Sequence, residues 1–389
     1  MNRRTHLLSL AGALPVAHAA ATSVEFSSLR RLIAESVDRG DAPGAVVVIR
    51  HGGREVFAAA AGYAVIEEKR LMRADDLFMI ASSTKPFSAT AILTLADRGK
   101  LTLDDPVRKF FPEFVGASTI RQLLSHTSGI FGNGATPETV EPIRNFDREL
   151  RDALPLIVRT PLAYTPGAKF SYGGASFCVA AGIAEKITGQ PFDDFLRQAL
   201  FEPLGIRDAC FRSARDLSAR VPQIYTRIGK GGFKSIPAVM ELPNRRGPRA
   251  NGFVLAAGGL YATAGEAARF LQLHLDKGLA GSRRVLSPQL VAEMQCRQTG
   301  EAREEYGLGW KRFRFASDGP AQAFGHGGAY GTQLLVDKER DLAVAIFTQM
   351  PGGQSSKLLK EVQQRIEEIF PPIPATAGRS DTADRHSPR

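Results

Sequence analysis

The stretch Ala81-Ser82-Ser83-Thr84-Lys85-Pro86-Phe87 leads into apolar residues at helical spacing from Phe87 to Ala96, which Arg98-Gly99 ends. Pro86 suits the first turn of that helix, where its missing N–H costs least. Ser82 is thereby set at the helix N-terminus. Ser82 and Lys85, three residues apart, fall on one face within hydrogen-bond reach. A serine hydroxyl is a poor nucleophile until a base takes its proton. A lysine amine can be that base only when burial or a neighbouring cation lowers its pKa. The backbone N–H groups and the positive dipole end at such a position favour a developing oxyanion. Taken alone, Ser-x-x-Lys is common by chance and fits a helix cap with a solvated lysine equally well.

On the N-terminal side, Ala45–Ile49 and Glu55–Ala61 read as strands around the turn His51-Gly52-Gly53. Far along the chain, Thr332–Val336 and Leu342–Thr348 repeat the theme around Asp337–Asp341. Helical spacing marks Ser27–Arg39 at one end and Leu358–Ile369 at the other. Between the hairpins the pattern is helical: Ile120–Leu124, Arg148–Arg159, Ser176–Thr188 with Gly189 behind it, Phe192–Leu200 and Ala264–Leu275. Residues 226–252 are Gly-, Pro- and Arg-rich and read as a long loop or insertion. These elements predict an α+β fold. One antiparallel sheet is built from the N- and C-terminal segments (25–80 and 300–370) and flanked by helices. A mainly helical domain spans 81–299, and a crevice between two such lobes is a natural place for a site.

The composition is ordinary for a folded chain: of 389 residues, 43% are hydrophobic and 23% charged, which excludes global disorder. The net charge of +10 raises nucleic acid as a partner. Residues 207–250 alone hold ten Lys/Arg against Asp208, Asp216 and Glu241. The charge is therefore a local feature of a solvated insertion, and no nucleic-acid motif accompanies it. Cys178, Cys210 and Cys296 are too few and scattered for a disulfide framework or a metal knuckle. Residues 1–20 read as an export segment: Arg3-Arg4, a short apolar run Leu7–Val16, and the small-x-small site Ala17-His18-Ala19. A periplasmic or secreted protein is expected, by the general or the twin-arginine route. No apolar run is long enough to span a membrane, and 371–389 reads as a disordered tail.

The order of motifs after Lys85 carries more weight than any one of them. Leu123-Leu-Ser-His-Thr-Ser-Gly129, Tyr164-Thr-Pro-Gly167, Phe170-Ser-Tyr-Gly-Gly174, Gly258-Gly259-Leu260, Tyr306-Gly-Leu-Gly-Trp310 and Gly325-His-Gly-Gly-Ala-Tyr-Gly331 follow in turn. This set resembles the serine β-lactamase-like superfamily over residues 25–370, and within it class C β-lactamases, family VIII esterases and DD-peptidases.

The resemblance implies roles position by position. Ser82 matches the acylated nucleophile and Lys85 the lysine that shares its proton. Tyr172 matches the tyrosine of the family's Tyr-x-Asn motif, which relays protons and protonates the leaving group. His326-Gly327-Gly328 matches Lys-Thr-Gly, and the amides of Ser82 and Ala329 would form the oxyanion hole. Gly174 stands in place of the Asn that contacts an amide-bearing substrate. His326 puts a titratable imidazole where a fixed cation is usual. Both departures favour an ester or broader acyl substrate over a β-lactam. Tyr330 is a candidate for lining the acyl pocket with Gly174 and Gly328. His126 and Ser128 read as buried hydrogen-bonding groups, Asp104 and Asp105 as turn-shaping, and Tyr306 and Trp310 as cleft border or core. The implied protein is an exported serine hydrolase working through an acyl-enzyme, needing no metal or cofactor. Its implied partner is a small ester or acyl substrate, or a cell-wall peptide. The alternatives are a β-lactamase, a D-Ala-D-Ala carboxypeptidase, or a degenerate cell-wall binding or scaffold protein.

Overall fold

A computed structural model describes residues 23–133, 149–211, 217–229, 232–237 and 254–373. The expected export segment therefore lies outside the described residues, as does the tail beyond Ile373. The hairpin Gly44–His51/Arg54–Val65 forms as its alternation requires. Its first strand pairs antiparallel with Leu342–Thr348, in a register running from Ala45 opposite Thr348 to His51 opposite Leu342. The two ends of the chain thus meet at the centre of a seven-stranded sheet. Its order is Lys311–Arg314, Ala323–Gly327, Thr332–Asp337, Leu342–Thr348, Gly44–His51, Arg54–Val65, Arg70–Leu71.

Both faces of the central strands are buried. Ala45, Val47, Ile49, Val344 and Ile346 face the terminal helices Ser23–Asp38 and Ser356–Ile369. The latter offers Leu358, Val362 and Ile366 at four-residue spacing, the stripe an amphipathic helix turns to a core. Val46, Val48, Leu334, Val336, Ala345 and Phe347 face the other way. They join one apolar cluster with the helices Thr84–Asp97, Ala175–Thr188 and Ala264–Leu275. Sheet and helices therefore share a continuous core. Ala264–Leu275 packs directly on the central strands, starting from a capping box between Thr263 and Glu266. Thr84–Asp97 is buried from Thr84 to Leu95 on every side, as expected of a helix running through an interior.

Several elements differ from the sequence reading, beginning with the sheet, which gains Arg70–Leu71, Lys311–Arg314 and Ala323–Gly327 beside the two expected hairpins. Residues 226–252 do not form a loop throughout. Ile224–Ile228 and Gly232–Ile236 make a hairpin, docked by the Tyr225 N–H to the Gln349 carbonyl at 2.9 Å. The Arg227 guanidinium adds a bond to the Asp41 carbonyl at 3.1 Å. Arg227 and Lys234 had obscured the alternation; residues 238–253 lie outside the described part. The helix expected at Phe192–Leu200 ends at Leu196 and widens into a π-helical turn, Arg197–Phe201. Pro288–Gln295 is a helix that was not anticipated, capped by Ser287 with Pro288 in its first turn. All three cysteines are free thiols. Among the described residues no helix is long and apolar enough to cross a membrane.

Candidate active site

Ala81–Ser83 forms a single 3-10 turn that runs straight into the helix Thr84–Asp97. Ala81 is held at φ 45°, a left-handed conformation that costs a residue with a Cβ about 1–3 kcal/mol. The surroundings impose it. The Ile80 N–H bonds the Leu260 carbonyl at 2.9 Å, and Met79 pairs with Tyr261. The Thr332 hydroxyl donates to the Ile80 carbonyl at 3.0 Å. Ser83 donates to the His326 carbonyl at 3.2 Å. The turn bearing Ser82 is thus stitched to the end of the strand Ala323–Gly327.

One helical turn on, Lys85 is only 2% exposed. Its Nζ lies 3.2 Å from Ser82 Oγ and donates to the Ala257 carbonyl at 2.9 Å. Burial is the dominant influence and brings the amine down to about 7, against an ordinary 10.5. Near neutrality a large share of Lys85 is therefore uncharged. With one N–H engaged by Ala257, the lone pair is available to Ser82.

Tyr172 closes the other side. Lys85 Nζ sits 4.5 Å from its ring centroid, and the neighbouring Ser82 hydroxyl acts to lower the phenol's pKa against the larger effect of burial. Burial pushes the phenol up to about 12, so it stays protonated through the neutral range. The Ser82 hydroxyl thus stands beside a buried amine and a buried phenol.

His326 lies on the strand Ala323–Gly327, and Ala329 in the turn that follows it. The Gly328 N–H bonds the Thr332 carbonyl at 2.7 Å. A Cβ on Gly328 would stand 2.3 Å from the Ile80 carbonyl oxygen, so only glycine permits this approach. The contact brings together the segments carrying the amides of Ser82 and Ala329.

His326 departs from the expectation of a titratable stand-in for a cation. It is 1% exposed. Its Nδ1–H donates to the Gly327 carbonyl at 2.8 Å, and its Nε2 accepts from the Tyr306 hydroxyl at 3.2 Å. Both ring nitrogens are occupied, and burial holds the pKa well below the ordinary histidine value. The imidazole is neutral, and its ring lies 6.1 Å from that of Tyr172.

Gly174 caps the helix Ala175–Thr188, and its N–H donates to Asn133 Oδ1 at 3.0 Å. A side-chain amide thus stands beside the position where the family's Asn is missing. Tyr330 packs with Leu77, Met79, Ala81 and Tyr261. With Met79, Ile224 and Tyr261 it walls a cavity of about 330 Å3. Asn133 and the Ala257 carbonyl were not anticipated. The latter is a backbone group and leaves no mark in the sequence. Among the described residues no cluster of His, Cys, Asp and Glu is arranged to hold a metal.

A serine between a buried amine and a phenol, at a helix start facing a strand end, defines a serine-type acyl-transfer hydrolase. The beta-lactamase family profile matches residues 29–366, and the chain belongs to that family. Esterase EstB of Burkholderia gladioli is 31% identical over 345 residues, covering 78% of this chain and 85% of that one. A putative D-alanyl-D-alanine carboxypeptidase of Escherichia coli K12 is 25% identical, covering 84% and 82%. Among solved structures, EstCE1, a hydrolase with promiscuous acyltransferase activity, superposes with a TM-score of 0.75 at 22% identity. It covers 88% of this chain and 98% of its own.

Proposed function

We propose that the protein is an exported esterase. Ser82 is its nucleophile, Lys85 its base, Tyr172 its proton relay, and the Ser82 and Ala329 amides its oxyanion donors. The observation that carries this reading is the Lys85 amine, brought to about 7 by burial and 3.2 Å from Ser82 Oγ. Ser82 Oγ attacks the ester carbonyl carbon while its proton passes to Lys85 Nζ. The carbonyl oxygen takes the negative charge beside the two amides. The C–O bond to the alcohol then breaks. The alkoxide takes a proton from Tyr172, which is reprotonated by the Lys85 ammonium. Water attacks the acyl carbon and gives a proton to the same pair; the bond to Ser82 Oγ breaks, and the pair returns that proton to Oγ as the acid leaves.

Ester preference is supported by His326. Neutral and internally bonded, it offers no fixed cation to a substrate carboxylate. The similarity to EstB points the same way. Export rests on the pattern of residues 1–20 and predicts a periplasmic or secreted chain beginning near Ala20. Ser82→Ala should abolish both p-nitrophenyl ester hydrolysis and labelling by a fluorophosphonate. Undiminished labelling of that variant would sink the assignment. A second reading, hydrolysis of D-Ala-D-Ala-like peptides, draws on Asn133 beside Gly174 and on the carboxypeptidase relative. Fast nitrocefin turnover without ester turnover would favour it.

A further inference from the structure

His126 follows the short helix Ile120–Leu124 and stands at φ 60°, in the left-handed region. That backbone turns its carbonyl and its imidazole toward the same neighbour. The His126 carbonyl accepts the Ser171 N–H at 2.8 Å. Its Nδ1 accepts the Gly173 N–H in a longer bond of 3.4 Å. The two amides flanking Tyr172 are therefore both bound to one residue. The His126 ring also packs on the Tyr172 ring, with centroids 4.6 Å apart.

The tautomer follows from these partners. A backbone N–H can only donate, so Nδ1 must carry the lone pair and Nε2 the proton. Nε2 is buried without a hydrogen-bond partner. The ring is enclosed by Phe170, Phe177 and Tyr306 at 5.6, 5.2 and 5.1 Å. No ring nitrogen is directed to Ser82, so His126 is not placed to exchange protons with substrate. Its contacts converge on the segment that presents the Tyr172 phenol.

We propose that His126 is a positioning residue for Tyr172, fixing the phenol against Ser82 by gripping residues 171 and 173. The proposal rests on the esterase reading above, since it assigns His126 an effect that acts only through Tyr172. Misplacing a reacting group by about 1 Å costs on the order of a hundredfold in rate. His126→Leu removes the Nδ1 acceptor and strains the left-handed turn. It should lower kcat on a p-nitrophenyl ester about a hundredfold with little change in KM. Asn is at home in left-handed backbone, and its Oδ1 can accept the Gly173 N–H. His126→Asn should recover roughly tenfold of the loss, about the worth of one hydrogen bond.

The deciding measurement is a double-mutant cycle with Tyr172→Phe, on chains shown to be folded by thermal unfolding and near-ultraviolet circular dichroism. If His126 acts through Tyr172, its substitution costs less than threefold or so once the phenol is gone, because coupled residues are non-additive. Losses that multiply in full would overturn the proposal, as would an unchanged kcat in folded His126→Leu. Should His126→Leu fail to fold, the same cycle is run with His126→Asn and read by the same two outcomes. Ser82→Ala, measured alongside, separates the failures. An active Ser82→Ala defeats the esterase reading itself, whereas an inactive one with a fully additive cycle defeats only the role of His126.

Discussion

Lys85 Nζ is bound on one side to the Ala257 carbonyl at 2.9 Å and faces Ser82 Oγ on the other at 3.2 Å. The carbonyl fixes where the amine points, and burial fixes its proton affinity. An amine that must be neutral to accept a proton makes activity depend on pH in a definite direction. kcat/KM for a neutral ester should rise about tenfold per pH unit below 7 and level off above it. Tyr172, at about 12, adds no loss before strongly alkaline pH. A profile falling from pH 6 to pH 8 would contradict the assignment.

The same group affects stability. Lys85 titrates near 7 when folded and at an ordinary 10.5 when unfolded. Between these values the unfolded chain holds the extra proton, so Lys85 makes stability rise with pH across that window. Below pH 7 the full cost of burying the ammonium is present. Lys85→Met should therefore be inactive yet more stable than the parent at pH 6, by on the order of 3–5 kcal/mol. The advantage should fade toward pH 10. Denaturant titrations of both chains at pH 6 and pH 10 read the difference directly.

Three histidines, His126, His274 and His326, are each 1% exposed, and burial lowers the pKa of all three, that of His274 to about 3. Unfolded histidines take up protons around pH 6.5. Stability is therefore lost as pH falls below that value, with all three histidines contributing in the same direction. His274 lies among Phe270, Trp310 and Phe324, so His274→Phe should fold and reduce the slope by about one proton. An unaltered slope in urea titrations between pH 6.5 and pH 4.5 would show that His274 is not held neutral.

Adjacent glycines at the strand end should respond very differently. A Cβ on Gly328 would meet Thr332 Oγ1 at 2.1 Å and the Ile80 carbonyl at 2.3 Å, whereas on Gly327 the nearest atom is 3.8 Å away. Gly328→Ala must push Ala329 away from Ser82. It should lower kcat by roughly 10²–10³, the usual loss on removing one oxyanion donor. Gly327→Ala should stay within about threefold of the parent, a surface-like change. Equal losses in the two variants would disprove the close-approach argument.

His326→Lys restores the cation usual at this place in the family. Here that ammonium would replace a neutral ring bonded to Tyr306 and Gly327. The expected result is a destabilisation of about 3–5 kcal/mol, as for a buried charge without a partner. No gain in nitrocefin turnover should accompany it. A stable variant that hydrolyses nitrocefin faster would mean that the side chain reaches the substrate.

Much of this architecture can be read from periodicity. Val46 and Val48 alternate with Ala45, Val47 and Ile49 in a strand buried on both faces, and Leu358, Val362 and Ile366 mark the closing helix. That Ser82 and Lys85 share one face is legible from their three-residue spacing, and the structure places Ser82 Oγ and Lys85 Nζ 3.2 Å apart, whereas Tyr172 was singled out only by the family resemblance. The groups that complete the site were harder to see. The Ala257 carbonyl belongs to the backbone, and Asn133 reaches Gly174 across 41 residues. The neutrality of His326 comes from burial, and the partner of its Nε2, Tyr306, stands twenty residues before it. The hairpin Ile224–Ile228/Gly232–Ile236 was hidden because the half-buried Arg227 and the exposed Lys234 break its apolar pattern in a stretch rich in Gly and Pro.

The pairing of Gly44–His51 with Leu342–Thr348 has a bearing on how the protein becomes active. The turn bearing Ser82 is made early in synthesis, but Ile80 is anchored by Thr332, and Ala329 lies only three residues before that threonine, near the far end of the sheet's chain order. A chain that stops short of these residues would carry Ser82 without the segment that faces it, so under the proposed function fluorophosphonate labelling of Ser82 should require the chain through Thr348.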